Sequence, residues 1–202
     1  MATKRHGHSE ITRRRLLAGV TAAVCVGLPG AIPADAATDP IVRFMTKVKK
    51  PLLNAARTAS SKQFLSVIKT HADVSGIALY SLGPYRAGLA RSHRKQYYRG
   101  VARYMSRYFA LMSQEFRVNK AELTGKSWRN GDAHYIDSKV ILSNGASYAV
   151  RWELKRNGKK GYKITNVRVL GFWLAWFQRK IFLDFIRKRG GSVKALVTAL
   201  SP

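Results

Sequence analysis

Three Asn-Gly pairs, Asn130-Gly131, Asn144-Gly145 and Asn157-Gly158, punctuate the stretch from about 120 to 170. Asn-Gly readily takes the left-handed backbone that a tight hairpin turn requires. Between the pairs, apolar and polar residues alternate with the period of a half-buried strand. Residues 120–129, 133–143, 146–156 and 161–170 are therefore expected to form a four-stranded antiparallel meander. In the third run Tyr148, Val150, Trp152 and Leu154 point one way, and Ser147, Ala149, Arg151, Glu153 and Lys155 the other. In the second, Ile136, Val140 and Leu142 share a face. One side of such a sheet is wet, and the other must meet helices.

Helical patterns flank this region on both sides, so the fold class is α+β. Residues 40–56 place Ile41, Phe44, Met45 and Val48 on one stripe, interrupted by Pro51. Residues 60–70 start on a serine cap, with Phe64, Leu65 and Ile68 on one face. The segment "DVSGIALYSLG" stops at Gly83-Pro84. The longest helix is expected over 92–116, capped by Ser92. Tyr97, Val101, Tyr104, Tyr108, Leu111 and Met112 share a face there. Arg91, Lys95, Arg99, Arg103 and Arg107 recur every fourth residue down another face. Like charges at that spacing repel, so the strip is either a solvated face or a docking strip for an anionic surface. After Gly171 the pattern predicts helix again, with Phe172 to Phe177 apolar on every side, more than one sheet face needs to cover. Gly190-Gly191 ends this helix, and "SVKALVTALS" forms a last short one.

The chain carries 37 Lys+Arg against 10 Asp+Glu, a net +27. Such an excess favours polyanions, whether nucleic acid, anionic headgroups or an acidic partner. Arg13, Arg14 and Arg15 precede an apolar run, Leu16 to Leu28, that is too short to span a bilayer comfortably. Ala34-Asp35-Ala36 follows as a small-x-small cleavage motif. This resembles a bacterial twin-arginine export signal, with Sec export as the close alternative. Pro29 and Pro33 argue against an uncleaved anchor helix. The expected organisation is a cleavable signal over 1–36 and a single domain over 37–202, located in the periplasm. Residues 1–36 hold five basic and two acidic residues, leaving 32 basic and 8 acidic, a net +24. Cys25 falls in the signal, so the processed chain has no disulfide, thiolate metal site or cysteine nucleophile.

An exported protein seldom meets nucleic acid, and no helix-turn-helix, RNP or zinc pattern occurs. His71, His93 and His134 stand among few acids, without G-x-S-x-G or H-E-x-x-H spacing. The sequence therefore predicts no enzyme, no catalytic residue, no metal and no cofactor.

Three stretches carry a family likeness. The first is "HADVSGIALYSLGPYR", with Asp73-Val74, Ile77-Ala78, Leu82-Gly83 and Tyr85-Arg86. The second is "SHRKQYYRGVARYMSRYFA", with its recurring Tyr97, Tyr104 and Tyr108. The third is "YKITNVRVLGFWL" followed by "QRKIFLDFIRKRGGSVKALVTAL", with Arg179 and Phe182. In this order they resemble the MlaC or toluene-tolerance family of phospholipid shuttles. Where family members often carry Asp and Glu between the last strand and the helix, this chain has Asn166 and Leu170.

The resemblance implies a curved sheet wrapped by N- and C-terminal helices around a deep apolar cavity, with bound phospholipid as cargo. It implies a monomer that ferries lipid between an outer-membrane lipoprotein–porin complex and an inner-membrane ABC transporter with an MCE-domain subunit, maintaining outer-membrane lipid asymmetry. Contact with the anionic membrane surface would be transient, and nucleic acid is not a partner. Hiding one acyl chain at about 0.8 kcal/mol per CH₂ is worth on the order of 10 kcal/mol, so the lining must be apolar. Candidates from the inward faces are Ile77, Leu82, Tyr97, Val101, Tyr104, Tyr108, Val140, Leu142, Tyr148, Val150, Trp152, Ile164, Phe172, Trp173 and Trp176. Arg86, Arg99, Arg103 and Arg107 are candidates for headgroup or partner contact. A hopanoid, another sterol-like lipid or a quinone is the alternative cargo, and a basic nucleic-acid-binding or polyanion-binding module the alternative function.

Overall fold

Alternation from Val118 onward gives four long strands in a computed structural model that describes residues 39–201; the expected signal and Cys25 lie outside the described residues. The strands are β1 (Val118–Asn130), β2 (Ala133–Leu142), β3 (Ser147–Arg156) and β4 (Tyr162–Val169), each antiparallel to the next. The Asn-Gly pairs mark all three turns, but their lengths differ. Two residues, Gly131 and Asp132, join β1 to β2, with Gly131 left-handed. Four join β2 to β3. The third connection contains a 3₁₀ turn over Gly158–Lys160.

The sheet has five strands, not four. Leu170 and Gly171 both adopt left-handed backbone, with φ of 49° and 87°. The chain therefore turns back at once, and Phe172–Trp173 pairs with β4 as β5. Residues 172 and 173, expected as the start of a helix, are strand. Leucine is a poor left-handed residue, so the turn carries no ordinary signature.

Among the described residues six α-helices flank the sheet: α1 (Pro40–Arg57), α2 (Ser61–His71), α3 (Val74–Leu82), α4 (Arg94–Glu115), α5 (Leu174–Arg187) and α6 (Val193–Ala199). Short polar side chains start four of them by accepting first-turn N–H groups: Asp39, Ser60, Asp73 and Ser192. Pro51 sits inside α1 without ending it. Ser92 is not the cap of α4, because a 3₁₀ turn over Arg91–His93 leads into the helix without a side-chain cap.

The helices and sheet meet in separate apolar clusters. Ile41, Val42, Met45 and Val48 of α1 pack on Ile136, Leu154, Tyr162 and Ile164 of the sheet. Ala78 and Leu82 of α3, Tyr97 and Val101 of α4, Phe182 and Ile186 of α5 and Val193, Leu196 and Val197 of α6 form a second, wholly helical core. Gly100 lets α4 approach the end of α6. A Cβ there would lie 2.8 Å from the Leu200 Cβ and 2.9 Å from its carbonyl oxygen.

Two side chains from the ends of α1 also hold β1. The Asp39 carboxylate accepts the Ser127 N–H at 3.2 Å, and the Arg57 Nε donates to the Asn119 carbonyl at 3.2 Å. Burial alone would raise the Asp39 carboxyl, but hydrogen bonds from Ser127, Ile41 and Val42 outweigh it and hold the group below its ordinary 3.8.

Two outcomes test this frame. Gly100→Ala should lower the melting temperature even though alanine gains about 1 kcal/mol of helix propensity, because the overlap with Leu200 costs about 1–3 kcal/mol. A rise would mean that the end of α6 yields freely. Asp39→Ala should cost about 1 kcal/mol or more at neutral pH. Because the folded-state value is depressed, this contribution is complete above 3.8 and fades as pH falls further. Denaturant titrations of the two proteins should therefore converge in acid.

Candidate functional site

Cross-strand register assembles the inner face of the sheet. Ala121 of β1, Val140 of β2 and Tyr148 of β3 stand in one row. Ser138, Val150, Val169 and Phe172 stand in the next, and Ile136, Trp152 and Val167 in a third. Val140, Leu142 and Val150 are buried there with Val118, Ala121, Tyr148, Trp152, Val167 and Val169 around them. Every member of this cluster comes from the sheet. Among the described residues no helix contributes to it, whereas the neighbouring end of the same face is packed under α1. The one buried hydroxyl on the cluster's border is satisfied, since the Trp152 indole N–H donates to the Ser138 Oγ at 2.9 Å. Burial raises the Tyr148 phenol above its ordinary value, keeping it neutral.

The fifteen apolar candidates do not come together in one place. Val140, Leu142, Tyr148, Val150 and Trp152 come together on the sheet, and Ile164 lies at the α1-covered end. Leu82, Tyr97 and Val101 are fully buried in the helical core, with Tyr104 packed against it edge-on to Phe182. The Tyr97 hydroxyl donates to the Ala78 carbonyl at 2.9 Å, and burial pushes its ionisation well above the ordinary tyrosine range. Ile77 is buried on α3, and Tyr108 is half-buried against Phe109. Phe172 and Trp176 are exposed. Trp173 pairs with Arg168 and so lies on the outer face of the sheet. There it meets the edge of Tyr135, which stacks on Trp128 beneath the Arg151 guanidinium. Asp137 holds that guanidinium through two hydrogen bonds of 2.9 Å.

Two open depressions lie on the surface of the described residues, among others. One of about 420 Å³ lies between α2, α3 and the β3–β4 turn and is lined by Lys69, Lys155, Arg156 and Lys163 with Asp73 and Ser75. The other, about 460 Å³, lies against α5 and α6 near Arg189 and Lys194. Both are open to solvent, and neither is an enclosed apolar chamber. Among the described residues no group of three or more His, Cys, Asp or Glu could hold a metal ion, and no helix is long and apolar enough to cross a membrane.

The family model described as MlaC protein matches residues 39–201. The chain belongs to the MlaC family. No curated protein matches it. Among solved structures it is similar to a phospholipid-binding protein from Ralstonia solanacearum determined in complex with a phospholipid. The identity is 18% and the TM-score 0.58, over 84% of this chain and 95% of that one. At that identity the likeness establishes the α+β fold.

Within this MlaC-family fold, a residue that position alone did not single out as functional orders the strand-to-helix corner. The Asn166 side chain on β4 accepts the N–H of Val167 at 2.9 Å and that of Ala175 in the first turn of α5 at 3.1 Å. It fastens the start of α5, which has no cap of its own. The only sequence signal was a polar side chain where family members often carry an acid.

The basic strip on α4 is present: Arg99 and Arg107 are exposed and Arg103 is half-buried. Arg86 is exposed on the turn after α3. Among the described residues none of these four arginines has an acidic partner. Arg99→Glu would exchange two repulsive four-residue pairs, with Lys95 and Arg103, for attractive ones. It should raise unfolding free energy by about 0.5 kcal/mol. A fall in a denaturant titration would mean that the Arg99 side chain is held by contacts elsewhere.

Proposed function

We propose that this MlaC-family protein carries phospholipid, with its acyl chains against the part of the inner sheet face where the apolar cluster is built from strand residues alone. The observation that carries this reading is the all-sheet apolar cluster around Val140, Leu142 and Val150. It is an apolar floor with one satisfied hydroxyl at its margin, the composition a chain-binding surface needs. The family and the phospholipid complex of the Ralstonia solanacearum protein support the choice of cargo. Tyr148 and Trp152 flank the floor, and an acyl chain sliding between them and the helices would open the apolar cavity of the loaded state.

The protein would be a binding and transport protein rather than an enzyme, and a monomer exported to the periplasm. It would exchange lipid between an outer-membrane lipoprotein–porin complex and an inner-membrane ABC transporter with an MCE-domain subunit, and so sustain outer-membrane lipid asymmetry. Arg86, Arg99, Arg103 and Arg107 would speed encounters with anionic partners and headgroups, more strongly at low salt.

The test is the cargo itself. Protein purified without detergent from the periplasm of a Gram-negative host is extracted with organic solvent and analysed by mass spectrometry. Phospholipid in stoichiometric amount is expected; a lipid-free extract would sink the reading, and a hopanoid or quinone would replace the cargo. Two variants locate the site. Tyr148→Ala should lower lipid per mole of protein more than it lowers the melting temperature. Tyr97→Ala, in the helical core, should cost about 3–5 kcal/mol of stability while the folded fraction still loads. Normal loading of Tyr148→Ala would move the site off the sheet.

A further inference from the structure

Five large hydrophobic side chains stand exposed within twelve residues of chain: Leu170 at 63%, Phe172 at 63%, Trp176 at 52%, Phe177 at 42% and Ile181 at 37%. Scattered exposed apolar residues are ordinary, but a contiguous group is not. Helix α5 packs inward through Ala175, Gln178, Phe182 and Ile186. Its other side presents Trp176, Phe177 and Ile181 beside the β4–β5 hairpin tip. This corner does not cover the sheet, and nothing in the described chain covers it.

The tip itself is the informative residue. Leu170 holds φ of 49°, a backbone that costs a non-glycine residue free energy and that Asn or Gly would adopt more easily. A leucine that is both strained and mostly exposed does nothing for folding. Its gain lies in what it meets. The surroundings specify that partner. From Arg168 to Ile181 the chain has three basic residues, Arg168, Arg179 and Lys180, and no acid. Arg168 Nε donates to the Gly171 carbonyl at 3.0 Å, placing a cation at the turn. Arg179 lies 5.0 Å over the Tyr80 ring, and Lys180 stands on the helix between Trp176 and Ile181. An exposed Leu, Phe and Trp surface beside three cations matches an anionic bilayer interface, where aromatic rings sit among headgroups and basic side chains meet phosphate.

We propose that the Leu170–Ile181 corner inserts into the interface of an anionic phospholipid bilayer. Phe172 occupies the same cross-strand row as Val169 and Val150, so the inserted corner adjoins the apolar floor of the sheet. Docking deepens the lipid-carrying reading, yet it is read separately: vesicle binding reports the corner, and solvent extraction reports the cargo.

The experiment is flotation of the purified protein with vesicles of phosphatidylethanolamine and phosphatidylglycerol, against vesicles of phosphatidylcholine alone. Wild type should float with the anionic vesicles. Leu170→Asn should lower the partition about tenfold, the loss of one inserted leucine, while raising the melting temperature because asparagine relieves the turn. Opposite signs in the two readouts are what a purely structural leucine cannot produce. Phe172→Ser with Trp176→Ser should abolish flotation. Brominated acyl chains should quench tryptophan emission in wild type, and the quench should shrink in Trp176→Phe. Equal flotation of wild type and Leu170→Asn would overturn the proposal and assign binding to the basic surface alone. Failure of wild type to float would overturn it outright. So would a wild-type dimer that Leu170→Asn dissociates, which would make the corner a contact between copies.

Discussion

The inner face of the sheet is mostly apolar, and among the described residues its two ends gather in different clusters. At the Ile136–Leu154–Ile164 end, α1 lies across the strands. At the Val140–Val150–Val169 end the apolar cluster drawn from the described residues is made of strand residues alone. Helices α3 to α6 direct apolar stripes at one another around Tyr97 and Phe182. The fold thus sets a sheet with two apolar regions beside a separate helical core. Tyr97, fully buried and hydrogen-bonded, anchors the helical core.

The positions of the strands, and of most helices, were legible because they rest on local chemistry. Alternation and Asn-Gly pairs set the meander, and Ser60, Asp73 and Ser192 sit where polar caps are expected to start helices. The fifth strand was hidden because its turn uses Leu170 where a turn normally uses Asn or Gly. The start of α4 was displaced because a 3₁₀ turn can do the work of a cap without leaving a polar signature.

The candidate site was legible only in part. Periodicity separates inward from outward, but it does not say which inward residues join the helical core and which join the sheet's own cluster. Tyr97 and Val101 look like Val140 and Val150 in sequence, and only the packing of α3, α5 and α6 distinguishes them. Trp173 was assigned inward as a helical residue. In a strand the same position faces the other side, where it joins Tyr135 and Trp128.

Six of the eight acids after residue 36 are committed to architecture. Asp39 and Asp73 cap helices, Glu122, Asp137 and Asp184 pair with basic neighbours, and Glu153 accepts from Thr165. Carboxylates as a class titrate near pH 4 and lysines above about 10, so between them only histidines change charge. The described residues include three histidines, and burial together with neighbouring Lys163 holds His71 below its ordinary range, favouring the neutral ring. The positive field is therefore almost independent of acidity. What tunes it is the ionic medium, so dilution or concentration of the surrounding salt, rather than acidification, sets how often this protein collides with an anionic surface.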